Sequence, residues 1–121
     1  MAAPRNRLPC LLAAFALLAG CASDAPRPVD PDVDLYSASG TRRSQAVQLV
    51  EASGDEAYVP ELIAMLDDED EAVRMQAHAA LRAMTGHDTG YLPFEGRVER
   101  AEHIRRWQSW WAARGAGGAG E

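Results

Sequence analysis

The sequence contains no lysine; all 12 of its basic residues are arginine. It holds only two cysteines, Cys10 and Cys21, and no Cys-x-x-Cys pair. None of His78, His87 and His103 stands three or four residues from another, so the usual ligand spacing of a zinc site is missing. The five consecutive acids Asp67 to Glu71 lack the alternating ligands and the glycine of a calcium loop. There is no Gly-rich phosphate loop and no Gly-x-Ser-x-Gly turn, and Ser44 and Ser109 have no evident base beside them. No alternating apolar and polar run marks a strand. The longest apolar run, Leu8 to Ala19, falls short of the roughly 20 residues that cross a bilayer. These absences exclude the familiar catalytic and metal patterns and leave a helical chain with no cofactor implied.

The N-terminus carries the strongest positive signal. Arg5 and Arg7 precede the apolar run, and no acidic residue occurs before Asp24. A basic segment followed by a short apolar one is the pattern of a removable export signal. The run ends Leu18-Ala19-Gly20-Cys21. Those residues resemble the lipobox of bacterial lipoproteins, which implies cleavage after residue 20 and lipidation of Cys21. The other reading is a cleaved soluble protein in which Cys21 is incidental. Two or more acyl chains hold a protein firmly in a bilayer, where one does not. Ala22 follows in place of aspartate. By resemblance to the sorting rule of diderm bacteria, that implies a cell-envelope protein in the outer membrane, facing the periplasm.

Removal of Arg5 and Arg7 with the signal leaves 10 basic against 18 acidic residues, a formal charge of −8. Nucleic-acid affinity comes from neutralising phosphates with basic groups, so a nucleic-acid partner is excluded. Cys10 leaves with the signal and Cys21 is lipidated, so the mature domain carries no free thiol.

Residues 21–40 follow the lipid site with Pro26, Pro28 and Pro31 among aspartates and serines, and read as a flexible tether. Residues 114–121 are rich in glycine and alanine and read as a disordered tail. Between them, residues 41–113 show four helical patterns. The first spans Thr41 to Ala52, with Thr41 at its start and Gly54 after its end. The second begins near Ala57, with Val59, Leu62, Ile63 and Leu66 on one face and Pro60 in the first turn. The third follows the acidic run and ends at Gly86, with Val73, Ala77, Ala80, Leu81 and Met84 on its stripe. The fourth spans Val98 to Ala113, with Val98, Ala101, Ile104, Trp107 and Trp111 sharing a face.

The second and third patterns place Pro60 early in one helix, Asp68 in the turn, and Val73-Arg74 in the next helix. This resembles a HEAT repeat. The implied fold is all-α: a short HEAT-like α-solenoid fragment of about four helices, beginning with the second helix of a truncated repeat. Repeat arrays need about three units to bury a continuous core. Here the Trp-rich fourth helix must cover the exposed end.

The resemblance implies a non-catalytic protein–protein interaction module, tethered to the membrane and binding another envelope protein. The candidate contacts are Asp67, Asp68, Glu69 and Asp70 in the acidic turn, Tyr91 and Phe94 in the loop after Gly86, and Trp110, which lies off the stripe. Each has a structural alternative. The acids suit a helix N-terminus, and the aromatics could be pinned to the core. A small-ligand or metal-binding lipoprotein using the loop around His87 and Asp88 is the second reading, and an enzyme the third.

Overall fold

The computed structural model describes residues 26–118. The expected export signal, Cys21 and the first residues of the expected tether lie outside the described residues. Among those described, every regular element is helical: α1 (Pro31–Asp34), α2 (Gly40–Ser53), α3 (Val59–Ala64), α4 (Glu71–Thr85) and α5 (Arg97–Gly118). None of these helices is long and apolar enough to cross a membrane.

The helix limits follow from local chemistry. Ser39 and Asp70 sit in extended backbone before α2 and α4, and their side-chain oxygens accept from Arg42 N and Ala72 N. Each satisfies an amide that the first turn leaves without a partner. Ser39, not the expected Thr41, is therefore the cap of α2. Gly54 and Gly86 end the same two helices with φ of 66° and 71°, a left-handed conformation that glycine adopts without steric cost. α3 is short because it is flanked by 3-10 turns, Glu56–Tyr58 and Met65–Asp67.

The helices form two layers. α2 packs on α4 in one, α3 packs on α5 in the other, and α3 also rests on α4. α1 lies against α2. Ala46, Ala77 and Ala80 are wholly buried, and such small side chains bring helix axes close together. Leu62, Leu66, Leu81, Val47, Val50 and Trp107 fill the space between layers. A fully buried leucine contributes about 2 kcal/mol, so the three leucines alone outweigh the short helices' weak intrinsic preference to form.

Three expectations need correction. The tether expected over residues 21–40 is ordered where the structure describes it: α1 forms, Leu35 joins the core, and Asp34 is buried. Asp30 caps α1 through Asp32 N, and Asp34 gathers two arginines. Prolines and aspartates thus shape a folded arm. The tail expected from residue 114 is helical through Gly118, since α5 continues past Arg114. Val98, expected on the buried stripe of the last helix, is 79% exposed, whereas Trp107 is wholly buried and Trp110 and Trp111 are half-buried.

Candidate functional site

Among the described residues, three of the four buried charged side chains are arginines occupying one equivalent position. Arg43, Arg74 and Arg100 are 8%, 9% and 9% exposed. Each lies four residues beyond the residue that opens its helix, and each donates its backbone N–H at 3.0 Å to Ser39 O, Asp70 O or Gly96 O. Each guanidinium then folds back onto the incoming loop: Arg43 Nη1 donates to Ser37 O at 2.8 Å, Arg74 Nη1 to Asp68 O at 2.7 Å, and Arg100 Nη1 to Glu95 O at 2.6 Å. A cation near a helix N-terminus opposes the helix dipole. Loop carbonyls aimed at the guanidinium offset that cost. The starts of α2 and α4 also match in detail, at a separation of 31 residues. Ser39 N donates to Ser37 Oγ as Asp70 N donates to Asp68 Oδ1.

The remaining guanidinium nitrogens tie one helix start to another segment. Arg43 grips the Asp68 carboxylate in two-point fashion, Nε at 2.9 Å and Nη2 at 2.8 Å. Arg74 Nε reaches Pro93 O at 2.9 Å, and Arg100 Nη2 reaches Asp67 Oδ1 at 3.3 Å. The acidic pair holds Arg43 in its charged form more firmly than usual, with the Asp68 hydrogen bonds the leading cause. Through these contacts the acidic turn and the aromatic loop, separate in the chain, meet at the end of the domain where α2, α4 and α5 begin.

The expected contact residues divide sharply there. Asp68 is spent on Arg43, Asp70 on the cap of α4, and Asp67 on Arg100. Glu69, with a side chain 88% exposed and only a 3.8 Å approach to Arg43, projects outward. Tyr91 is buried, its hydroxyl donating to Leu66 O at 2.5 Å, and burial pushes the phenol pKa up. It is a core residue, so it is withdrawn as a contact. Phe94 is 69% exposed, and Leu92 and Val98 are also exposed. Trp110 is half-buried, stacked parallel on His87 at 4.2 Å between ring centroids. Its ring is held within the domain, with Arg114 over it at 5.4 Å.

The loop around His87 and Asp88 borders a shallow depression of about 410 Å³ lined by Arg82, His87 and Asp88. Its acid is already engaged. Asp88 accepts from Gly90 N at 2.9 Å and meets His78 Nε2 and Arg82 Nε at 3.2 Å each. Burial pushes this carboxyl up, but the Gly90 N–H, His78 and Arg82 together outweigh it, leaving the pKa below its ordinary value. Among the described residues no group of three His, Cys, Asp or Glu side chains is placed to hold a metal ion.

The sequence reading used Arg74 only as part of the Val73-Arg74 pair of the repeat pattern and passed over Arg43 and Arg100. A signal was present: an arginine four residues after Ser39, Asp70 and Gly96. Charged residues on a helix read as solvated surface, and only three coincident spacings distinguish a buried row. No protein-family model, no curated protein and no solved structure matches this chain.

Proposed function

We propose that this protein is a lipid-anchored, non-catalytic interaction module of the bacterial envelope. It is held through Cys21 on the periplasmic face of the outer membrane and binds another envelope protein with the end of a short HEAT-like domain. One observation carries the binding reading. Two buried arginines, Arg74 and Arg100, fasten the acidic turn to the aromatic loop, and Phe94, Leu92, Val98 and Glu69 are exposed on these segments. Rigidly presented apolar side chains rimmed by charge are the makings of an interface centre. The 31-residue recurrence of cap and arginine supports the repeat reading, because stacked units of one kind reuse the same joints. With a formal charge of −8 after signal removal, the domain favours a neutral or basic partner surface.

The test places a photo-crosslinking residue at position 92, which is also exposed, in native envelopes. A discrete adduct should form, and Phe94→Ala should lose capture through faster dissociation. Glu69→Arg should slow association, most at low salt, where charges are least screened. Both positions are exposed, so thermal melts should stay unchanged. Equal capture by all variants, or no adduct, removes the proposal. Loss of palmitate labelling in Cys21→Ala tests the anchor separately.

A further inference from the structure

The ordered N-terminal arm alters what a lipid at Cys21 would do. Arg27 is clamped to Asp34 at 2.9 and 2.5 Å, so five residues, or six Cα–Cα steps, separate the anchor from the folded domain. Fully extended, they span at most about 20 Å. α1 is therefore the part of the domain carried nearest the bilayer. Val33 on α1 is 54% and Tyr36, two residues past its end, 71% exposed, with Asp32 of α1 exposed between them and the chain start. Beside them runs an open groove of about 380 Å³ between the end of α1 and α3, lined by Leu35, Tyr36, Pro60, Ala64 and Met65 among others. Glu61 also lines it, and one of its carboxylate oxygens is enclosed with no hydrogen-bond donor. Asp30 and Asp32 flank the patch on the same arm.

We propose that α1 and this groove rest on the lipid surface itself, and specifically on zwitterionic lipid whose headgroup carries an ammonium. The inference depends on the lipid-anchor reading above. Tyrosine is favoured at the membrane–water interface, with its ring in the apolar boundary and its hydroxyl among headgroups. The acids at positions 30, 32 and 61 repel an anionic surface and attract ammonium groups. Tethering at short range multiplies the weak affinity of so small a patch, because the second contact becomes intramolecular. The groove ends at Asp68, next to Glu69 in the chain, so the proposed protein surface adjoins the membrane-facing one.

The experiment uses the mature lipidated protein, from which the export signal and Cys10 have been removed. Its cysteine at position 21 is blocked by lipid, so Tyr36→Cys or Ser109→Cys adds a single labelling site for an environment-sensitive fluorophore. Ser109 is exposed on α5, which packs on α3, whereas α1 packs on α2. In phosphatidylethanolamine and phosphatidylcholine vesicles carrying a quencher in the acyl region, the label at 36 should lose most of its emission and the label at 109 should keep it. Adding Val33→Asp, or replacing half of the lipid with phosphatidylglycerol, should restore emission at 36. Equal quenching at both positions overturns the proposal, as does quenching at 36 that strengthens with anionic lipid. A spectral change at 36 that follows protein density rather than quencher assigns the patch to a second copy and also overturns it. Intact mass separates the two failures. An unlipidated protein refutes the anchor and this inference with it, whereas a lipidated protein with an unquenched label refutes only the docking.

Discussion

At the N-terminal end of the domain, α1 is held to α2 by charge. Asp34 takes Arg42 Nε at 2.9 Å and both terminal nitrogens of Arg27, and the Asp30 backbone N–H donates to it at 2.8 Å. Hydrogen bonds from Arg42 and Arg27 hold this carboxyl well below the usual carboxylate range. Tyr58 adds a bond to Asp32, which pushes its phenol pKa up to about 12. At the C-terminal end, α5 is held by rings. Trp107 is wholly buried, meets His87 edge-on at 5.0 Å and Trp110 edge-on at 5.8 Å, and has no hydrogen-bond partner for its indole N–H. One end is closed by direction-dependent polar contacts and the other by buried area. The two should therefore fail differently, the ring end with the whole core and the charged end by itself.

The largest effect should come from the ring end. Removing a fully buried tryptophan side chain costs about 3–5 kcal/mol, a large part of the 5–15 kcal/mol that holds a typical domain. Trp107→Ala should lower the urea midpoint of the whole domain in one cooperative step. Trp111→Ala, at a half-buried site, should lower it less. A Trp107→Ala midpoint within the range of ordinary surface substitutions would mean that the rings do not hold the core, and the contrast between the ends would collapse.

The same contrast explains what the sequence made legible. Val59, Leu62, Ile63 and Leu66, and Val73, Ala77, Ala80 and Leu81, repeat at helical spacing, and burial of apolar area is the term that periodicity reports. The middle helices and Trp107 were accordingly readable. The arm was not, because its fold rests on Asp34, Arg27 and Arg42, whose identities alone indicate solvated, proline-broken chain. Polar pairing has no period, and its worth depends on geometry that only the folded chain supplies. The candidate site divided in the same way. Glu69 and Phe94 remain outward, whereas Asp68 and Tyr91 belong to contacts between segments 25 residues apart. Val98 shows the converse: correct spacing, but at the edge of α5 where nothing lies opposite.

The charged end should yield a smaller and more local loss. Asp34→Asn keeps the shape and removes the charge that both arginines share. Amides of residues 33–37 should lose hydrogen-exchange protection while α4 retains its own. Acid should do the same to the parent protein. Because folding lowers the Asp34 pKa, its contribution is complete above about pH 4, the ordinary unfolded value, and fades as the pH falls below it. Arm protection should therefore drop below pH 4 in the parent and be low at every pH in Asp34→Asn. Equal protection in both proteins at neutral pH would show that Leu35 alone holds the arm.

The smallest effect should arise where the two kinds of closure meet, at Arg114. Its guanidinium lies 5.4 Å from the Trp110 ring centre and 5.6 Å from that of Trp111, and it reaches Glu56 Oε1 at 3.1 Å. The ion pair is about half exposed, and such pairs contribute little. An exposed cation over an aromatic face contributes about 0.5–1 kcal/mol. Arg114→Ala should thus leave the global midpoint nearly unchanged while exchange protection falls in the last turns of α5, beyond Trp111. Arg114→Lys separates the two contacts. Lysine keeps the charge for Glu56 but loses the flat guanidinium that stacks over both rings. Protection in Arg114→Lys should match Arg114→Ala if the rings hold the last turns, and should match the parent if the ion pair does. The second result would make charge the closing device at both ends of the domain, and the contrast would then rest on Trp107 alone.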